Sequence, residues 1–372
     1  MRTGQTLLKS KASEALGRIR IRTSPNIMMY FRDGRLVFEN YMTRQAFHGS
    51  SDTVLLLSYF STWKRLDQAS NALRGFSRVS VTDAAHDLLR HGLLIQEGSD
   101  EQRLEAKFSK NWQWPVQSRY YHFATKLDEP FSTPQEIRTY YEKHLKGTAQ
   151  PPIYKEYPGS RKVKLESGAG PEAPLFETMR RRRTTREFSG KPIDLTDLSR
   201  ITYYTWGRLS TYKTKEFGTL LHKTSPSAGA RHPIEAYAVI NNIKGVAPGI
   251  YHYSVNHHSL ELLRAGDFRD MCVKFAAGQG WTRKASALFL MTAAVSRTAW
   301  KYRIPRAYRA FLLDAGHLSQ SFLMVSTALG LGAFCIGIIN DVGIEKELGI
   351  DGINEAAIFA VGVGQPARKT RT

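Results

Sequence analysis

One stretch near the C-terminal end, YRAFLLDAGHLSQSFLMVSTALG (308–330), constrains the fold more than any other. Its apolar residues cover most of the helical circumference instead of one stripe, so this helix must be covered on several sides, by a core or by a second copy of the chain. Gly330 stops it. On either side lie strand-like runs. ALFLMTAAVS (287–296) reads as a buried strand and AAIFAVGVGQP (356–366) as a last strand ended by Pro366. IEAYAVINN (234–242) and GIYHYSVNHHSLELL (249–263) read as alternating strands with turns at Pro248-Gly249 and Asn256-His257. Helices and strands mix without strict βαβ alternation, which makes the class α+β.

The N-terminal part has a different grammar. MMYFRDGRLVFENY (28–41) is a hairpin about Asp33-Gly34, and SSDTVLLLSYFSTWKRLDQASNAL (50–73) and SVTDAAHDLLRHGLLIQE (80–97) each open on capping residues and continue at helical spacing. Two helices and a wing-like end make a winged-helix pattern. Its second helix carries Asp83, His86, Asp87, Arg90 and His91, a mixed set instead of a basic recognition face, so packing or peptide binding fits better than DNA reading. TAQPPIYKEYPGSRKVKLESGAGPEAP (148–174) is rich in Pro, Gly and charge and reads as a connector. The expected organisation is a winged-helix-like domain over 1–115, a connector over 116–172 and a larger domain over 173–372.

Charge narrows the partners. Lys and Arg number 53 against 33 Asp and Glu, a balance of +20 that suits nucleic acid, an acidic peptide or a phosphorylated cofactor. Cys272 and Cys335, the only cysteines, exclude a disulfide scaffold and a cysteine-ligated metal or cluster. Neither a secretory signal nor an uninterrupted apolar run of membrane-spanning length occurs, so a cytoplasmic protein with no membrane partner is expected.

Three stretches carry the residue types that chemistry needs. Arg180 to Arg183, followed by Thr184, Thr185 and Arg186, is an anion-binding composition of forked guanidinium donors and hydroxyls. SPSAGARHP (225–233) is a turn whose small residues admit a flat or phosphorylated ligand, with Ser225, Ser227 and Arg231 as donors. WKYRIPRAYRA (300–310) puts Lys301 and Tyr302 between a buried strand and the long helix; a close ammonium stabilises a phenolate, so the pair reads either as a proton acceptor or as a plain surface loop. GLGAFCIGIIND (330–341) misses the dinucleotide fingerprint because Cys335 stands where its third glycine belongs. His252, His257 and His258 lack the spacing and the carboxylate company of a zinc site and read as exposed turn histidines; no metal is expected. No Gly-x-Ser-x-Gly elbow occurs.

Taken in order, RRRTTREF, SPSAGARHPIEAY, GIYHYSVNHHSLEL, WKYRIPRAYRAFLLDAGHLSQ and LGLGAFCIGIIND followed by AVGVGQP resemble the SagB-type dehydrogenases. These belong to the FMN-dependent nitroreductase superfamily and include azoline oxidases that mature thiazole- and oxazole-containing ribosomal peptides. The likeness runs from about Ser118 to the C-terminus. It implies an FMN-binding α+β sandwich assembled as a homodimer, with each flavin at the dimer interface. It also implies that Arg182, Arg183, Thr184 and Arg186 hold the phosphate and ribityl chain. Pro226, Ser227, Ala228, Gly229 and Arg231 would run along the flavin, Ile336, Gly337 and Ile338 would lie near its pyrimidine and N5, and Arg368 or Lys369 would return to the phosphate. Lys301 and Tyr302 match the catalytic pair, with Tyr302 as base and Lys301 its assistant. The expected substrate is an azoline in a precursor peptide, recruited through an acidic leader or a cyclodehydratase partner, with oxygen reoxidising the flavin. The alternatives are an NAD(P)H-dependent nitro or quinone reductase and a winged-helix nucleic-acid-binding regulator. The chain departs from the pattern at Ser321, where an Asn is common, and at Pro305, where a glycine-like turn is usual.

Overall fold

Asp33 (φ 49°) and Gly34 (φ 73°) both occupy the left-handed region, as a two-residue hairpin turn demands. In the computed structural model, which describes residues 19–127, 133–166 and 168–367, this turn joins β2 (Ile27–Arg32) to β3 (Arg35–Asn40). The chain divides into two compact units, Met1–Asp128 and Glu129–Thr372.

In the first unit β4 (Gln45–Gly49) completes the β2-β3-β4 sheet, and a second sheet, β5-β1-β6, joins β1 (Arg20–Thr23) to β5 (Lys64–Arg65) and β6 (Leu94–Gln96). Ser50 and Thr53 form a capping box at the start of α1 (Ser51–Tyr59). The helical pattern expected up to residue 73 is interrupted: α1 ends at Tyr59, and Lys64–Arg65 pair with β1 as β5. Ser77 caps α2 (Arg78–Arg90), whose Val81, Ala85 and Leu88 share one face and meet Ile21 and Phe60 in the core of this unit. Helices α3 (Asp100–Asn111) and α4 (Val116–Ala124) follow.

The stretch 116–172 carries more structure than a connector. Helix α4 falls in the first unit, α5 (Pro134–Leu145) starts the second on a Thr133–Glu136 capping box, and β7 (Lys162–Lys164) is an edge strand of its main sheet. Prolines and glycines break the pattern over 149–161 and again over 168–172, where neither helix nor strand forms.

The second unit is built on an antiparallel seven-stranded sheet, ordered β14-β15-β13-β10-β11-β12-β7. Its remaining strands are β10 (Ile234–Ile240), β11 (Gly249–Ser254), β12 (Ser259–Ala265), β13 (Ala287–Ala294), β14 (Gly332–Ile336) and β15 (Glu355–Gly364). Every residue of β10 and β11 is buried, because helices cover both faces. On one face Ala236, Ala238, Tyr253, Phe289 and Met291 meet Ile201 and Trp206 of α7 (Leu195–Trp206) and Phe311 and Phe322 of the long helix. On the other, Tyr237, Val239, Ile250 and Leu288 meet Phe275 of α8 (Arg269–Phe275) and Ile344, which lies in the helix Asp341–Leu348. This layering is the expected α+β architecture.

The one-turn helix α9 (Val295–Ala299) follows β13, and the long helix α10 (Tyr308–Ala328) packs on the sheet through Phe311, Ala315, Leu318 and Phe322 while Leu312 and Leu313 stay exposed. No helix among the described residues is long and apolar enough to cross a membrane.

Candidate active site

The residues singled out in the sequence gather in two places. The first is the arginine turn. After α6 (Leu175–Arg181) the backbone leaves the helix at Arg182 and runs alongside β14, where the Thr185 amide donates to the Ala333 carbonyl at 2.9 Å. Gly332 must be glycine here, since a Cβ would sit 2.6 Å from Thr185 Cγ2. The Ser189 amide donates to Gln365 O and the Ala367 amide to Glu187 O, so the turn is laced to the end of β15 as well. Arg180, Arg182, Arg183 and Arg186 form no ion pair with a carboxylate among the described residues; Arg183 donates to the carbonyls of Arg180 and Arg182, and Arg186 lies over the Trp281 ring. Thr184 is exposed beside them. Ile336 is buried at the end of β14, Gly337 follows it, and Ile338 is 76% exposed. Arg368 and Lys369 lie outside the described residues.

The second place is the loop between β9 (Gly218–His222) and β10, together with the segment between α9 and α10. Gly229 (φ 60°), Ala230 (φ 54°) and His232 (φ 44°) are all left-handed, a rare sequence of conformations for which the non-glycine residues need outside support. Asp314 of α10 supplies it: Ser227 Oγ donates to its carboxylate at 2.5 Å and the Ala228 amide at 3.4 Å, while the His232 amide donates back to Ser227 Oγ. Ser225 and Ser321 pair through their hydroxyls at 2.6 Å, so Ser321 ties the loop to the helix; Pro226 lies between these anchors. Lys301 and Tyr302 close the turn that ends α9, both amides donating to Thr298 O, and Pro305 starts the following helical turn. They converge on Gly229: a Cβ there would collide with the Tyr302 hydroxyl and lie 2.8 Å from Lys301 Nζ.

The surroundings are aromatic. Lys301 Nζ lies 3.8 Å from the Phe217 ring centroid and 5.4 Å from that of Tyr141, and Arg231 stacks over Trp300. Burial, reinforced by the nearby Arg231 charge, lowers the Lys301 ammonium to about 8. Burial raises Tyr302 above the ordinary phenol range, partly offset by a hydrogen bond from Tyr141 and by Arg231. Both shifts favour the neutral forms, the free amine of Lys301 and the protonated phenol of Tyr302, so the electrostatics make the amine the readier proton acceptor.

Strand register separates the two places. Ala333, beside the arginine turn, and Ala287 both pair with Val363, whereas Lys301 follows Ala294 at the other end of β13. Eight residues of strand put about 24 Å between these levels.

Four contributors escape sequence reading or were read differently. Tyr141 and Phe217 carry no local signal and reach the cluster by tertiary packing; Asp314 is an isolated acid in an apolar helix, which was a signal. His252 is no exposed turn histidine: it is 0% exposed on β11, bonded to Glu235 and Glu261 at 2.9 Å each, with Arg297 at 2.6 Å from Glu235. Adjacent antiparallel strands bring the three together from separated positions. His257 is exposed and His258 half-buried against Tyr253.

Comparison with known proteins places this arrangement. The family model described as the nitroreductase family matches residues 179–365, half of the chain. The trifolitoxin-processing protein TfxB of Rhizobium leguminosarum bv. trifolii is 30% identical over 161 residues, which are 42% of this chain and 43% of that protein, so less than half of that relative's length is spanned. The trifolitoxin operon protein TfxC of the same organism is 25% identical over 350 residues, 86% of this chain and 94% of that one. A crystal structure of a nitroreductase-like protein from Anabaena variabilis is similar with a TM-score of 0.50 and 23% identity, covering 76% of this chain and 58% of that chain. The fold, the arginine turn laced to the last two strands and the family match agree: the chain belongs to the nitroreductase family of oxidoreductases.

Proposed function

We propose that the protein is a SagB-type, FMN-dependent dehydrogenase that oxidises azolines to thiazoles or oxazoles in a ribosomally made peptide. The observation that carries this reading is the convergence of Lys301 and Tyr302 on Gly229, in an aromatic-walled cluster where burial raises the share of the amine in its free-base form. Two relatives named for trifolitoxin processing and its operon support it.

The residues present suit FMN. Arginines without carboxylate partners, beside a threonine hydroxyl, are the donor set for a phosphate dianion. Arg182, Arg183, Thr184 and Arg186 would hold the phosphate, Ile336, Gly337 and Ile338 would border the ring, and Pro226, Ser227, Ala228 and Gly229 would line its other side. When bound, FMN supplies the acceptor for a hydride. The arginine turn and the Lys-Tyr loop lie at opposite ends of β13, whose eight residues span about 24 Å, which favours a cofactor shared between two copies. A complete site would then combine the arginine turn of one copy with the Lys-Tyr loop of another, in a homodimer whose interface uses exposed Leu312 and Leu313.

An azoline becomes an azole by losing a proton and a hydride from adjacent ring atoms. At pH 7 an amine that titrates near 8 is neutral about a tenth of the time, enough to accept the ring proton. Tyr302 accepts a hydrogen bond from Tyr141 and keeps its own proton, through which it can hydrogen-bond to the ring nitrogen. The +20 charge favours an acidic leader on the precursor peptide, delivered directly or by a cyclodehydratase partner.

The test is to incubate the FMN-loaded protein with an azoline-bearing peptide in air and follow it by mass spectrometry. Loss of two hydrogens per ring is expected. A protein that leaves the peptide intact yet bleaches rapidly with NAD(P)H would instead be a nitro or quinone reductase, the reading that family membership alone also allows.

A further inference from the structure

Two cations lie buried in the Lys-Tyr cluster without a counter-charge among the described residues. Arg231 is 5% exposed; its Nε donates to the Gly229 carbonyl at 3.2 Å, and its Nη2 is buried with no hydrogen-bond partner. Lys301 is 7% exposed and makes neither a hydrogen bond through Nζ nor an ion pair among the described residues, its ammonium lying instead over Phe217. Asp314, the carboxylate that holds the loop, is engaged by Ser227 and Ala228 and pairs with neither cation. Unpaired charge in a low-dielectric interior is costly, and proteins concentrate such costs where a ligand completes the charge balance.

We propose that Arg231, joined by Lys301 once that amine carries the proton, forms an anion site that receives the acyl oxygen flanking the reacting carbon of the substrate. That the oxygen belongs to a peptide azoline rests on the function proposed above; the demand for a negative group does not. The rings of Trp300, Phe217 and Tyr141 around the two cations suit a planar, conjugated acyl group. The repulsion of Arg231, which adds to burial in depressing the Lys301 amine, shows that the two charges act on one another.

The site has a defined task in the reaction. The ring C–H next to the acyl group breaks, its proton going to Lys301 Nζ and its electron pair shifting toward the acyl oxygen, where the Arg231 guanidinium stabilises it. The pair would then return to form the ring double bond as the neighbouring ring carbon gives up a hydride, for which FMN, when bound, would be the two-electron acceptor. A ring without a flanking acyl group has nowhere to place that charge and should react poorly.

Flavin carbonyl oxygens also gain negative charge on reduction, so the test must separate substrate from cofactor. Benzoate, a planar carboxylate, is titrated into the FMN-loaded protein beside benzyl alcohol, its neutral counterpart, and binding is followed by flavin absorbance and by calorimetry. Benzoate should bind at least tenfold more tightly than benzyl alcohol. Arg231→Met should weaken benzoate at least tenfold and Arg231→Lys should restore part of the loss, while both retain wild-type FMN content and flavin midpoint potential. Should the Met variant not fold, Arg231→Gln, which still carries a donor, is measured in its place. Equal binding of the two probes, or unchanged benzoate affinity in a folded Arg231→Met protein, overturns the site. Loss of FMN or a shifted midpoint potential in the variants assigns the guanidinium to the cofactor and overturns it as well. The expected ratios in a protein inert to azoline peptides support the anion site and remove azolines as its occupant.

Discussion

At the scale of single residues, Gly229 and Lys301 make the sharpest demands. Gly229 combines φ 60° with contact from both Lys301 and Tyr302, so any side chain is strained in backbone and pressed against the pair. Gly229→Ala should cost about 1 kcal/mol of stability but at least tenfold in kcat/KM, read from thermal melts and steady-state rates on the same sample. Lys301 must be neutral to accept a proton, and burial sets its titration near 8. The rate should therefore rise as pH increases toward about 8 and level off above it; Lys301→Ala should lose most of the activity and the rising limb with it. A rate that falls across that range would mean the ammonium form is the active one. Tyr302→Phe should lower kcat while leaving the limb in place, because its phenol is held protonated.

At the scale of elements, three adjacent antiparallel strands bury a charged row that stabilises the sheet without touching the Lys-Tyr pair. His252 on β11 bridges Glu235 on β10 and Glu261 on β12, and Arg297 neutralises Glu235 from α9. Removing His252 takes a buried hydrogen bond from each carboxylate at once, although Glu235 keeps Arg297 and Glu261 keeps Lys162. His252→Leu should destabilise the protein by about 3–5 kcal/mol, measured by denaturant unfolding of the second-unit transition. A smaller loss would mean that water or side-chain motion relieves the carboxylates. Arg297 also reaches the carbonyls of Pro152 and His232, so it fixes one end of the loop that carries Gly229. The alternation of β10 to β12 was legible in their residues, but not that both faces would be covered, since a buried apolar run looks alike whether one helix layer or two lie over it.

At the scale of the whole molecule, strand register puts the arginine turn and the Lys-Tyr loop toward opposite ends of one sheet, which is the ground for proposing that two copies share a site. A Lys301→Ala chain and an Arg182→Ala chain, each inactive, should regain about one quarter of wild-type activity when mixed and allowed to exchange, because half the dimers then carry one intact site of two. No recovery under proven exchange would show that each chain completes its own site. By itself the sequence determined what local chemistry dictates: the turn at Asp33-Gly34, the capped helices, the long helix needing cover, the small-residue loop and the nitroreductase motifs. It did not determine that Tyr141 and Phe217 would wall in Lys301, that His252 would be buried between two glutamates, or that Arg231 would be left with an unsatisfied donor. Those facts depend on which distant segments the sheet brings together and how far water is excluded between them, and both are set only when the chain packs.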